Sequence, residues 1–396
     1  MKIGVLDYRF NYYTNLRNIL YKLPEAEYIP VKDWYSFLRR AALFANRRLG
    51  KPLFPTFDLN NQFDDFELNK VDVLHFSNGI SYGRTPWVSH FETILPRFSG
   101  LMNRHHGKEK QPIELSPLIQ KGFDALQSNS CKRIIAWSEC AAEMERELLA
   151  ELPANMRDKI LGKIVVLHPP QEVLSEKAPD REYDAENPIR FILVGAAFFR
   201  KGGREILQAF ESLINEGLPI KLVLVSSLRL EPYAAAETEA DLIWAKEKIA
   251  QNPDWIEYYE QLPHKDVYKL IDSSDVGLLP SWADSYGLSM LECQAHGCPV
   301  ISTDIRALPE INNTECGWLI RVPKNDLGEA LYSTPDERAK LSQQIQAGLE
   351  AIIRGIVADP SVIETKGNAS IERIRKFHDP EEYAEKLRRI YTDAIR

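Results

Sequence analysis

Short apolar runs bounded by turn residues recur along the chain, and helical periodicity fills the stretches between them. Runs at residues 2–6, 71–76, 133–137, 163–168, 190–195, 221–226, 276–280 and 299–303 predict strands. Alternation of strands with helices predicts parallel sheets. Ile192, Leu193 and Val194, like Leu222, Val223, Leu224 and Val225, are apolar at every position. That is the pattern of strands covered on both faces by helices. Near the chain end Tyr383, Leu387, Ile390 and Tyr391 repeat at helical spacing, which predicts a helix docked on a domain surface.

At 396 residues the chain exceeds one ordinary core, and roughly 100–200 residues per domain predicts two. Residues 168–188 are rich in Pro and charge and lack periodicity, so the domain linker is expected there. The expected division is an N-terminal domain over 1–170 and a C-terminal domain over 186–377, with a final helix, 378–396, packing back on the first. Both halves read as doubly wound α/β.

Composition narrows the class. Hydrophobic residues at 44% and charged residues at 27% are values of a soluble globular protein. No apolar run reaches the ~20 residues that span a bilayer. The start, Met1-Lys2-Ile3-Gly4-Val5-Leu6-Asp7, meets charge too early for a signal peptide. Five cysteines, odd in number and without CxxC spacing, point to a reducing compartment. A cytoplasmic protein is expected. Net charge is −8, yet residues 1–170 carry 23 Lys/Arg against 19 Asp/Glu, while the remainder carries 26 against 38. The mildly basic N-terminal half leaves open an anionic acceptor or a peripheral place at the inner membrane surface. No nucleic-acid partner is expected, and the oligomeric state is not legible.

The densest chemistry lies in residues 276–303. An apolar strand ends at Pro280-Ser281, a loop follows, and a helix is predicted from Gly287 to Gly297. In such units ligands bind at the carboxyl ends of the strands, and the N–H groups of the helix start attract phosphate. Gly287 would let a diphosphate approach the backbone. Asp284 and Glu292 are acceptor-only carboxylates suited to sugar hydroxyls: Glu292 to a ribose diol, Asp284 to a hydroxyl of a transferred sugar. A second loop, after the strand ending at Gly195, carries Arg200 and Lys201 ahead of Gly202-Gly203. Cations and helix N–H groups there would stabilise charge on a departing diphosphate without a metal. The loop is neither GxGxxG nor GxxxxGK[ST], so dinucleotide and P-loop readings lack their fingerprint.

Residues 190–320 resemble the donor domain of retaining glycosyltransferases of family 4, whose signature is an E-x7-E motif within PSxxExFGxxxxEAxAxGxPV. Here it reads Pro280-Ser-Trp-Ala-Asp284-Ser-Tyr-Gly-Leu-Ser-Met-Leu-Glu292-Cys-Gln-Ala-His-Gly-Cys-Pro-Val. The resemblance implies a GT-B fold, with two Rossmann-like domains facing across a cleft. It implies a hexosyltransferase-type enzyme that takes a nucleoside-diphosphate-sugar as substrate, with retention and with no cofactor. The donor-binding residues it implies are Gly195, Arg200, Lys201, Ser285, Tyr286, Gly287, Leu288 and Glu292, with Asp284 catalytic. Two positions depart from the pattern: Asp284 stands where the family has Glu, and Ala196 where many relatives have a phosphate-binding Arg. A degenerate nucleotide-binding subunit, or a GT-B epimerase or phosphorylase, is the alternative.

In the N-terminal half, relatives often place a His beside the reacting sugar. Glu92 and His90 are both candidates for that slot, Glu92 by position counted from Pro86. His75 reads either as a core histidine or as one facing a cleft. Arg39, Arg40, Arg47, Arg48 and Lys51 stand among apolar residues without one acid, as a solvated helix face or one that rests on anionic lipid or an anionic acceptor. Cys293, His296 and Cys298 lie close together but lack a fourth ligand, so no metal is assigned. The acceptor stays open among glycan, lipid and small molecule.

Overall fold

The computed structural model describes residues 1–6, 20, 23–102, 104, 106–107 and 112–396. The chain forms two compact units. The first comprises Met1–His105, Lys110–Pro170 and Asp379–Arg396, and the second His106–Glu109 and Gln171–His378.

In the first unit the strands are β1 (Lys2–Leu6), β2 (Glu27–Val31), β3 (Gln62–Phe63), β4 (Val73–Ser77), β5 (Ile80–Ser81), β6 (Trp87–Phe91), β7 (Cys131–Ala136) and β8 (Ile164–Val166). Six of them form a sheet in the order β2-β1-β4-β6-β7-β8, parallel throughout, and β3 pairs with β5. β4 and β6 are buried at every position. The helix Pro380–Ile395, capped by Asp379 and opened by Pro380, belongs to this unit and buries Tyr383, Leu387, Tyr391 and Ala394. Its Tyr391 hydroxyl lies 2.6 Å from Nδ1 of His75, so the chain end is tied to the middle of the sheet.

In the second unit the strands are β9 (Ile189–Val194), β10 (Ile220–Val225), β11 (Ile256–Tyr259), β12 (Val276–Leu279), β13 (Val300–Thr303) and β14 (Gly317–Ile320). They form one parallel sheet in the order β11-β10-β9-β12-β13-β14. Strand order reverses between β9 and β12. The carboxyl ends of those two strands therefore open onto a crevice, the place where open α/β sheets hold ligands. Every residue of β12 and β13 is buried, as the two-faced apolar runs require.

Of residues 168–188, read from sequence as a linker, those from Gln171 onward are packed along the second unit. The N–H groups of Leu174 and Ser175 donate to the Ala295 carbonyl, and that of Ala178 donates to Asn368 Oδ1. Tyr183 donates its hydroxyl to Asp275 at 3.0 Å, and Arg181 pairs with the same carboxylate. Composition marked this segment as irregular, but its polar groups find partners on the domain beside it.

Candidate active site

The two loops at the switch point are locked together through backbone. The Trp282 N–H donates to the Arg200 carbonyl at 2.9 Å. Gly202 has φ +79°, and a Cβ there would stand 2.3 Å from the Pro280 carbonyl oxygen. Only glycine permits both the left-handed turn and the approach. The loop after β9 is thereby pressed against the loop after β12, and each supplies charged groups to the same small volume.

Lys201 Nζ lies 3.1 Å from Asp284 Oδ2, and Arg200 reaches within 3.7 Å of the same oxygen. The Lys201 stem crosses the end of β9, where Gly195 makes room; a Cβ at Gly195 would stand 2.4 Å from Lys201 Cε. Arg200 is aimed by two further bonds, one from Nε to Glu231 at 2.8 Å and one to the Ala283 carbonyl at 2.6 Å. The other oxygen of Asp284 accepts the N–H of Gly287 at 2.9 Å and that of Tyr286 at 3.3 Å. Asp284 is buried, and burial alone would raise its carboxyl. Lys201, Arg200 and the Gly287 N–H outweigh that and hold it at about 2.

Sequence reasoning expected Asp284 to turn its carboxylate to a sugar hydroxyl. In the structure it folds back on its own loop. The shorter side chain explains this: an Asp reaches the N–H groups two and three residues ahead, the habit of an Asx turn. A carboxylate has about four acceptor sites, so capacity remains on each oxygen. The structure gives Gly287 a reason of its own, apart from any ligand. Its φ is +81°, and a Cβ would stand 2.7 Å from Leu308 Cδ2 and 3.0 Å from Leu279 Cδ2. The glycine is required by the turn and by packing beneath it. The helix Leu288–Ala295 starts immediately after it.

Tyr286 is buried, its ring edge-on to His378 at 6.5 Å, and its backbone N–H faces Asp284. Ser285 is half-buried on the same loop. Glu292 lies farther along the helix, buried, with Oε1 2.7 Å from Nε2 of His264. His264 opens the helix His264–Asp272 after β11 and lies against Tyr268, the rings tilted with centres 4.3 Å apart, and the Tyr268 ring meets His296 edge-on. This partner of Glu292 was missed from sequence. The four-residue spacing of His264 and Tyr268 on a helix start was the available signal.

The first-unit candidates separate. His90 is buried inside β6, its Nδ1 3.3 Å from Nε2 of His75 and its ring stacked on Trp137 at 5.2 Å. Burial holds its imidazole down at about 3, hence neutral. Glu92 follows the strand's carboxyl end and is half-buried. His75 is a buried core histidine bonded to Tyr391. Among the described residues no group of three His, Cys, Asp or Glu is arranged to hold a metal.

Residues 188–334 match the family model for glycosyl transferases group 1. This group 1 region holds β9 to β14 and, His378 apart, the second-unit residues just described. An O-antigen chain mannosyltransferase B from Escherichia coli is 28% identical over 120 residues, which are 30% of this chain and 30% of that protein. The match thus spans less than a third of that relative's own length. A sucrose-phosphate synthase from Thermosynechococcus elongatus superposes with TM-score 0.57 at 15% identity, covering 99% of this chain and 98% of that one. Anabaena HepE in complex with UDP and glucose gives TM-score 0.57 at 13% identity, with 99% of each chain covered. The fold is GT-B: two Rossmann-like α/β domains with parallel sheets, the group 1 region forming the sheet of the second.

Proposed function

We propose that the chain is a glycosyltransferase, hexosyltransferase in type, that moves a sugar from a nucleoside-diphosphate-sugar to an acceptor with retention of configuration. The observation that carries this reading is the cluster of Lys201, Arg200 and the Gly287 N–H around one point at the β9/β12 switch. These are fixed donors suited to a diphosphate. As the sugar–phosphate bond breaks, charge grows on the departing diphosphate, and a cation with oriented N–H groups stabilises it without reorganising. Arg200 supplies the second cation that Ala196 cannot.

Glu292, oriented by His264, accepts the ribose hydroxyls, and Asp284 shares its remaining acceptor sites with the transferred sugar. The base is read by residues 262–265, which include His264 at the start of its helix. HepE was solved with UDP and glucose, which makes UDP-sugars the first donors to try. Glu92, at a strand end of the first unit, serves the acceptor side in this reading, ahead of the enclosed His90. The acceptor is a glycan, a lipid or a small molecule.

Asp284 folded onto the phosphate-binding groups favours a second reading, a nucleotide-binding subunit without transfer. Thermal shift and calorimetry against UDP-, GDP- and ADP-sugars, followed by turnover and NMR of the product anomer, decide between them. Transfer with retention and loss of donor binding in Lys201→Ala and Glu292→Ala is expected. Tight binding with no turnover for any donor overturns the enzyme and leaves the subunit.

A further inference from the structure

The helix Trp34–Leu49 in the first unit turns apolar residues toward solvent. Ala42 is its buried residue, while Trp34 is 46% exposed, Phe37 54% and Phe44 67%. Trp34, Phe37, Ala41, Phe44 and Arg48 follow one another at steps of three and four, so they share one outward face. Arg40 and Arg47 are exposed one position to its side. Trp34 and Phe37 stack with ring centres 5.4 Å apart, forming a single aromatic surface.

The segment after the helix extends that surface and is held in place. Gly50 turns the chain at φ +64°. The Asn46 side chain then clamps Phe54 from both sides, donating to its carbonyl and accepting its N–H, each at 2.9 Å. Leu53 and Phe54 are exposed although their backbone is fixed. From Trp34 to Phe57 the sequence holds four Arg and one Lys and not one Asp or Glu.

We propose that this surface, Trp34 to Phe54, docks the protein on an anionic lipid bilayer, the aromatic rings at headgroup depth and the arginines on lipid phosphate. Aromatic and leucine side chains on one face with Arg beside them match an interfacial helix. A second copy of the chain fits poorly, because a two-fold pairing would set five cations against five. No described helix is long and apolar enough to cross a membrane. The proposal stands apart from the transfer reaction.

The test is sedimentation of the full chain with vesicles of phosphatidylcholine alone and of phosphatidylcholine with about one third phosphatidylglycerol. Binding to the anionic vesicles is expected, weakening as salt is raised. Each cation near such a surface is worth about fivefold, so Arg40→Gln with Arg47→Gln weakens binding about 25-fold. Phe37→Ser with Phe44→Ser weakens it comparably. Circular dichroism and unchanged nucleotide affinity show that the variants are folded. Binding to neither vesicle, or equal binding to both, overturns the proposal. So does a wild-type dimer in sedimentation velocity that Phe37→Ser with Phe44→Ser dissolves, since the face then belongs to a second copy.

Discussion

Nζ of Lys201 lies 3.1 Å from Oδ2 of Asp284, two oppositely charged groups from different strand-to-helix loops, both largely withdrawn from solvent. Removing one partner of such a pair leaves a buried charge, which costs about 3–5 kcal/mol where nothing else compensates. Arg200 and the Gly287 N–H do compensate here. Lys201→Ala is therefore expected to lose about 1–3 kcal/mol in urea denaturation. Lys201→Ala with Asp284→Asn should recover part of that loss, because the unpaired charge is gone. Donor binding stays weak in both variants, which separates the lysine's role in the fold from its role in binding. Additive losses in the double variant would show that the pair is not coupled.

Gly195 tests the same lysine without touching its charge. Gly195→Ala sets a Cβ where the Lys201 stem passes and, at φ +154°, also strains the backbone, so the stem and the loop end both yield. The ammonium then leaves its place over β9. We expect donor affinity to fall about tenfold, near the 1.4 kcal/mol that a displaced charge-assisted contact is worth. Calorimetry with the preferred donor checks this. Affinity within twofold of wild type would mean that the lysine reaches the diphosphate by another path.

His264 aims Glu292, so it should act on donor binding rather than on the transfer step. With Nε2 removed in His264→Ala, the carboxylate loses a 2.7 Å partner and its orientation. KM for the donor is expected to rise about five- to tenfold with kcat little changed, as for an interaction made equally in ground and transition states. His264→Gln, which keeps a donor, should restore part of it. A fall in kcat at constant KM would instead place His264 at the reacting centre.

How much of this could be read in the sequence depends on how local each feature is. β1 and β12 lie where their apolar runs predict, because buried parallel strands need no distant partner to be recognised. β6 was not predicted, since Ser89 and His90 interrupt its apolar run. His90 is tolerable there because it meets His75 and, through it, Tyr391 from far along the chain. β2 was hidden by Pro30, which an edge strand accepts. In the site, the two charged loops were legible from spacing. The fold-back of Asp284 and the pairing of Glu292 with His264 were not, because one depends on loop geometry and the other on a residue 28 positions away.

Glu145 gives the first unit a dependence on pH that can be measured apart from any reaction. It is buried in the helix Glu139–Leu149, with Oε2 accepting the Leu95 N–H at 2.8 Å. Burial pushes its carboxyl up to about 8, against that hydrogen bond. In the unfolded chain it titrates near 4.3. Between these values the folded state holds a proton that the unfolded state has released. Its stabilising contribution is therefore complete below about pH 4.3 and is lost as pH rises toward 8. His90 works in the opposite sense: its folded value of about 3 lies below the usual 6.5, so its contribution is present above 6.5 and is lost as pH falls. The two overlap below 6.5, and substitution separates them. Glu145→Gln removes the first dependence while keeping an acceptor for Leu95. Relative to wild type, the variant should gain about 2–4 kcal/mol between pH 5 and pH 8 in urea denaturation. Parallel stability curves over that range would show that Glu145 is ionised in the folded protein and that its charge is met by other groups.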